Sequence, residues 1–420
     1  MWQYSANAEQ SVAVVSTFLT TPSEMSRPCR QRLHRAFSGR LPVSLDVRGE
    51  ETTPPGPDRE TPTSTGRWRA GELDMKSNSL NLIRLILAGA VIVHHVYPLG
   101  GFSGAPTIDG VQFGGWAVFG FFTISGYLIS STRTRNTIGN FLVHRVARIY
   151  PGFWICLIIT AGVFAPIAQL VHQGNLDGFL TTKVTPVDYF LRNFTLNIGS
   201  FSIGTTLADN PFPHAWNGSL WTLYYEFLCY VLVGGLFCLS WWRKQRWLTP
   251  VLFVAAVALS VRWSSLEPYV GGNVDLKNLL QLLPYFLAGS ALYRYRKELP
   301  LHWIGAVISA VLIVGALKLS AVWGLQAAAP ALAYLLLWLG QVVPAPRWIT
   351  RNDLSYGVYI YAFPVQQLLA GFGLPDHGAV LYFAVTVAIT LPLAAASWFL
   401  VERPVIRSAR ARTARKELVA

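Results

Sequence analysis

Charge is scarce in this chain. Asp, Glu, Lys and Arg make up only 13% of its 420 residues, against roughly 25% in an ordinary soluble domain. So few charges cannot cover the surface of a soluble protein of this length. Cysteine is equally thin. Cys29 lies near the amino terminus, and Cys156, Cys229 and Cys238 lie inside apolar segments. No CxxC spacing occurs, so neither a disulfide framework nor a zinc site is supported. No sequence repeat of fixed period is present. A soluble enzyme, a disordered regulator and a disulfide-rich secreted module are all excluded.

Apolar sequence is what the chain has in abundance. Mean hydropathy is +0.38, with 15 Trp, 17 Tyr and 23 Phe. Apolar runs of about 18 residues or more recur, the length at which a helix crosses a bilayer. The chain is therefore expected to be an all-α, polytopic membrane protein. Ten spans are expected, at about 80–97, 113–131, 151–171, 220–240, 247–262, 277–293, 301–318, 321–342, 354–372 and 379–400.

The net charge of +13 is unevenly spread. Residues 1–74 hold 9 basic and 9 acidic residues, leaving 25 basic and 12 acidic to the rest. The basic residues sit in short clusters between apolar runs, the signature of cytoplasmic loops rather than of a nucleic-acid surface. With the amino terminus inside, the even-numbered connections and the tail carry 18 Lys and Arg. Lys183, Arg192 and Lys318 give the outer loops three, or five if Arg262 and Lys277 are counted. Both termini are expected in the cytoplasm. The longest outer connection, about 172–219, is long enough to serve as a lid or substrate loop. Residues 1–75 are rich in Pro, Ser, Thr and Arg and lack sustained periodicity. They read either as a disordered tail or as an extension before a natural start at Met75, just ahead of the first span.

Charges at bilayer depth are costly, so those that persist are candidates for function. Glu226 is the one acidic residue expected well inside a span, and Arg84 the one basic residue. Eleven positions at about 100° each bring His95 to about 20° past three full turns from Arg84, so both share a face of the first helix. His94 points about 80° away. A histidine so placed can accept a proton near neutral pH, or it can hydrogen-bond a neighbouring helix. Glu226 shares a face with Ser219, seven residues earlier and close behind Trp216. Its buried carboxylate needs a partner, for which Arg84 or a histidine is available. A chemical role and a structural ion pair both remain open for it. Arg145 and Arg148, spaced i, i+3 before Pro151, suit phosphate groups through paired guanidinium hydrogen bonds. They also suit plain anchoring at the cytoplasmic side.

Six segments, in order, carry a resemblance. They are Asn81-Leu82-Ile83-Arg84 through His94-His95; Phe121-Phe122-Thr123-Ile124-Ser125-Gly126-Tyr127-Leu128-Ile129; and Arg145-Val146-Ala147-Arg148-Ile149-Tyr150-Pro151. Then come Ser219 through Phe227, Leu354-Ser355-Tyr356-Gly357-Val358-Tyr359-Ile360-Tyr361, and Val401-Glu402-Arg403-Pro404. Together they resemble the membrane acyltransferase-3 family, whose members O-acylate sugars of envelope glycans and glycolipids. The resemblance implies a membrane domain over 76–406, followed by a basic cytoplasmic tail over 407–420. It implies catalysis by His95 with Glu226, and donor binding by Arg84, Arg145 and Arg148. Trp216 and Ser219 are expected at the acceptor. The implied donor is acyl-CoA, most commonly acetyl-CoA, with no bound cofactor or metal. The implied acceptor is a polysaccharide, lipopolysaccharide or glycolipid, reached from a multi-pass position in a bacterial cytoplasmic membrane.

Two departures from the family pattern stand out. His144 occupies a position where many members have another arginine. The extracytoplasmic hydrolase-like domain of many relatives does not follow the last span, so the membrane domain is expected to meet the acceptor alone. A transporter or lipid-linked sugar flippase is the main rival, since buried Arg, His and Glu also suit proton coupling. It lacks support from an internal repeat. A metal-dependent glycosyltransferase is disfavoured because the first outer loop offers only Asp109.

Overall fold

The computed structural model describes residues 79–419. The expectations for residues 1–75 lie outside the described residues. The order of elements begins with α1 (Leu80–Leu99), a small hairpin of β1 (Thr107–Ile108) and β2 (Val111–Gln112), and α2 (Phe113–Thr134). Asp109 and Gly110, at φ 51° and 73°, make the hairpin turn, a conformation that Asp and Gly adopt more readily than other residues. Next, α3 (Ile138–Ile159) passes through a π-turn (Thr160–Phe164) into α4 (Ala165–Gln173). Then come α5 (Pro186–Asn193), α6 (Trp221–Leu236), α7 (Ser240–Lys244), α8 (Leu248–Val261) and α9 (Trp263–Leu266). The rest are α10 (Val274–Arg294), α11 (Trp303–Leu319), α12 (Gly324–Ala327), α13 (Ala329–Val342), α14 (Arg347–Arg351), α15 (Ser355–Gly371) and α16 (Ala379–Ser397). A second π-turn (Trp398–Glu402) leads into α17 (Arg403–Val419).

The protein is all-helical and membrane-like. Among the described residues, four helical stretches are long and apolar enough to cross a bilayer: Leu80–Leu99, Phe113–Thr134, Ile138–Gln173 and Ala379–Arg415. Leu248–Val261 with Trp263–Tyr269, bent by 73°, makes a fifth if taken as one span. Each of the ten expected stretches falls on helix, but several helices are shorter than a simple crossing. α13 has 14 residues, which at a rise of 1.5 Å each is about 21 Å against a hydrocarbon core of about 30 Å.

Two boundaries differ from the sequence expectation for one reason. The third span was expected to begin at Pro151 and the last to end near 400, where charge begins. The helices instead run from Ile138 to Gln173 and on to Arg415. Pro151 lacks an amide hydrogen, yet the helix continues through it. Within a membrane protein, neighbouring helices can compensate for the lost bond.

α15 forms the centre. Fourteen of its residues are buried, from Ser355 to Ala370, whereas α11 buries only Ala306 and Ser309 and exposes Val307, Val311 and Val314. A helix apolar all round and exposed suits lipid. α2 and α10 approach at backbone distance. A Cβ on Gly126 would collide with the Phe286 carbonyl, and one on Gly289 with the Thr123 carbonyl. Ser130 donates to Ser290 across the same seam at 2.7 Å. Small residues let membrane helices come this close and gain packing and polar contacts.

Arginines close the helix ends on the other side of these seams. Arg294 donates to the Trp242 carbonyl at 2.7 Å and to Thr249 at 3.2 Å. Arg133 donates to the Gly234 carbonyl at 3.1 Å. These carbonyls belong to the last turns of α6 and α7, where intrahelical donors run out.

Gly289→Ala is expected to cost about 1–3 kcal/mol through overpacking of the α2–α10 seam. Gly315→Ala, where a Cβ meets nothing within 4 Å, should be neutral or slightly stabilising. Thermal unfolding of both variants in the same detergent checks the difference. Equal midpoints would mean that the seam relaxes freely.

Candidate active site

Asp353 stands in the short connection between α14 and α15 and joins four groups. Its Oδ2 accepts from Arg84 of α1 and, at 2.5 Å, from Arg148 of α3. Its Oδ1 accepts from the Ser355 hydroxyl at 2.5 Å and the Ser355 amide at 3.2 Å. The other branch of Arg148 donates to Glu402 Oε2 at 3.0 Å, and Ser397 donates to Glu402 Oε1 at 3.0 Å. The Arg148 guanidinium also lies over the rings of Tyr356, at 5.4 Å, and Trp398, at 5.3 Å. Side-chain exposures of 17% for Arg84, 16% for Arg148, 13% for Asp353 and 1% for Glu402 make this a largely desolvated network. Two guanidinium charges face two carboxylates, so it is electrically closed.

Glu226 occupies a separate position on α6. Its Oε1 accepts from the Ser125 hydroxyl of α2 and from Tyr230, one turn further along α6, at 2.6 Å. The sequence offered Arg84 or a histidine as its partner. The structure gives it hydroxyls instead, because Arg84 is turned to Asp353. A cavity with about 380 Å³ of space between atoms joins the two groups. Its lining includes Arg84, Phe121, Glu226, Tyr356 and Tyr359. Only about 30 Å³ of it is open to a water-sized molecule, far below the lower end of ligand pockets at about 300 Å³.

The remaining expected residues divide. Arg145 lies within electrostatic reach of Glu226, Tyr230 and Arg148, and its Nε is buried without a hydrogen-bond partner. His95 does not line the cavity. It lies eleven residues from Arg84, roughly 16 Å along the α1 axis. Its ring packs edge-on against Phe363 of α15 at 4.9 Å, and its Nδ1 is buried and unpartnered. Close by, Gln366 donates to the carbonyl of Ile92, one turn before His95, at 3.2 Å, while its own Oε1 stays buried and unpartnered. Unpaired polar atoms in such a place are costly, and a hydroxyl-bearing ligand would satisfy them.

Ser219 is buried with its Oγ unpartnered, and its carbonyl accepts from Tyr359 at 3.0 Å. Tyr359 and Thr222 share a hydrogen bond at 2.6 Å. Trp216 lies wholly inside, its indole N–H donating to Thr206 at 2.8 Å and its amide to the Phe201 carbonyl at 2.7 Å. It therefore braces the 172–219 segment from within. That segment is fastened to α15: Asn217 donates to the Ile360 carbonyl at 2.7 Å, and Gln367 donates to the carbonyls of Phe212, at 2.8 Å, and Ala215, at 2.6 Å.

Sequence reasoning missed Asp353, Glu402, Ser125, Tyr230 and Gln366. Glu402 too is fully buried. Its place just past an apolar run concealed it, because the π-turn at Trp398–Glu402 carries the helix on beyond the apparent end of the span.

Asp353→Asn leaves two desolvated guanidiniums sharing one carboxylate, Glu402. Losing one partner of a buried ion pair costs about 3–5 kcal/mol. A corresponding fall in the denaturation midpoint of the detergent-purified variant is expected, with a smaller fall for Asp353→Glu. A shift below about 1 kcal/mol, the level of an exposed pair, would show the network to be solvated.

Comparison with known proteins identifies the family. The acyltransferase-3 profile, described as an acyltransferase domain, matches residues 77–399. An O-acetyl transferase of Shigella phage Sf6 is 31% identical over 342 residues, covering 78% of this chain and 96% of that protein. Nodulation protein 10 of Rhizobium leguminosarum bv. viciae is 27% identical over 382 residues, covering 82% of this chain and 97% of that protein. No solved structure matches. The chain belongs to the acyltransferase-3 family and is a membrane enzyme that transfers acyl groups.

Proposed function

We propose that the enzyme moves an acetyl group from cytoplasmic acetyl-CoA to a sugar hydroxyl of an extracytoplasmic polysaccharide, lipopolysaccharide or glycolipid. The protein would cross a bacterial cytoplasmic membrane ten times with both termini inside, as the excess of 18 basic residues over three to five favours. The O-acetyl transferase relative supports the acyl group and the oxygen acceptor. One observation carries the reading most directly. α1 presents Arg84 to the cavity beside Glu226, and further along the same helix it holds His95 with its Nδ1 buried and unpartnered.

In this scheme the nucleotide end of the donor stays near the cytoplasmic arginines, and its pantetheine arm carries the thioester inward. The acceptor arrives beneath the 172–219 segment. His95 removes the hydroxyl proton as the sugar oxygen attacks the thioester carbonyl. The new C–O bond forms, the C–S bond breaks, and coenzyme A leaves as the thiol once its sulfur is protonated. Gln366 Oε1 would accept from a second hydroxyl of the acceptor and orient it. Glu226, held by Ser125 and Tyr230, would shape the inner wall past which the acyl group moves.

Mild alkaline release of esters from envelope glycans, followed by mass analysis, tests this. A deletion strain should lose an ester that the wild-type gene restores and His95→Ala does not, although the variant still inserts. Gln366→Leu should retain acyl-CoA binding and lose at least about tenfold in transfer rate, as expected for loss of an orienting contact. An unchanged ester profile, with an unexported glycan accumulating, would instead mark a transporter.

A further inference from the structure

The charge balance of the site leaves donor binding incompletely explained. Arg84 and Arg148 are matched by Asp353 and Glu402, so neither brings uncompensated charge to a phosphate. Arg145 is different. Among the described residues no carboxylate lies within ion-pair distance of it, and its Nε is buried without a partner.

The nearest element that could complete a site beside Arg145 is α17. It packs antiparallel to the first half of α3. His144 and Thr413 share a hydrogen bond at 3.0 Å, while at the other end a Cβ on Gly152 would touch Glu402. This register sets Arg410, one turn before Thr413, beside Arg145, and the two guanidiniums repel each other electrostatically. At about 100° per residue, Arg403, Arg407 and Arg410 fall within about 60° of one another on α17. Arg407 and Arg410 are exposed, and no ion pair involves them among the described residues. Like charges gathered without a counter-ion, next to a buried unpartnered guanidinium nitrogen, form a site complementary to a polyanion.

We propose that Arg410 of α17, flanked by Arg407, joins Arg145, already implied at the donor by the family resemblance, in binding the phosphates of a 3′-phosphoadenosine diphosphate group, the nucleotide end of the donor. The inference rests on the acyl-CoA reading given above and assigns α17 a role in it. The donor would lie with its phosphates between α3 and α17 and its thioester arm directed past Arg145 toward Glu226, whose charge also reaches Arg145. Arg84 and Arg148 then act as positioning residues, a neutral lock that joins α1 and α3 to the head of α15. A phosphate-bearing lipid headgroup has the same chemistry and is the competing occupant.

Calorimetric titration of the full chain in phosphatidylcholine nanodiscs separates these cases, with coenzyme A and 3′-dephospho-coenzyme A as probes. The wild type should bind coenzyme A about tenfold more tightly than the dephospho form, the scale of one charge-assisted phosphate contact. Arg410→Gln should shrink that ratio to less than about twofold. Arg412→Gln removes the same charge about 200° round the helix from Arg410 and should leave the ratio intact. A wild-type ratio in Arg410→Gln overturns the assignment while the acyl-CoA reading stands. So does a coenzyme A preference that disappears in wild type when phosphatidylglycerol is added, which would make the site a lipid site. Failure of the wild type to bind either probe would remove the acyl-CoA reading, and this inference with it.

Discussion

A carboxylate shared by two guanidiniums in a desolvated setting is the constraint on which the rest of the site depends. Without Asp353, the guanidiniums of Arg84 and Arg148, which stay charged, would be left desolvated with only Glu402 to pair with. The three groups come from the first helix, the third helix and the connection before α15, so their pairing fixes three distant parts of the chain at one point. Glu402 adds a fourth part, from the π-turn that precedes α17. Coulombic attraction of this kind is strong where water is excluded, but desolvation of the charges offsets much of it. The network is therefore better understood as specifying an arrangement than as a source of surplus stability.

Around that point the molecule separates two polar environments. One is the cavity shared by Arg84 and Glu226, enclosed by aromatic side chains from α2 and α15. The other surrounds His95 and Gln366, against Phe363 and beneath a segment pinned to α15. α1 spans both. The transfer proposed above, from a thioester to a hydroxyl across a membrane, would need such a division, because each substrate would have to be recognised where it arrives. The two groups of polar atoms differ in what they lack: His95 and Gln366 lack hydrogen-bond partners, whereas Arg84 lacks nothing.

The sequence made the class and the helical character readable, and it singled out some of the buried charges, for a simple physical reason. Apolar runs expose themselves by length, and a charge inside one stands out against its surroundings. Arg84, Glu226 and the Arg84–His95 face could be found that way. Pairings could not, since they depend on how helices rotate against one another: Glu226 turned to Ser125 and Tyr230 instead of to a cation. Trp216, expected at the acceptor from the family resemblance, turns its indole to Thr206 within its own segment. Glu402 and Asp353 sat just outside the apolar runs, where a charge looks ordinary. Gln366 was hidden differently, as a neutral residue gives no electrostatic signal and becomes conspicuous only when its unpaired oxygen can be seen.

The π-turn at Trp398–Glu402 has a consequence for how length changes would be tolerated. A π-turn holds one residue more than the α-helical path, and each residue advances the helix by about 100°. Removing that extra residue would let the wide turn close to an ordinary α-turn while α17 kept close to its present face. A residue deleted from the regular helix between Arg403 and Thr413 would instead rotate everything beyond it by about 100°, taking Thr413 away from His144. The turn is thus a place where this long helix should tolerate a change of length that its regular turns would not.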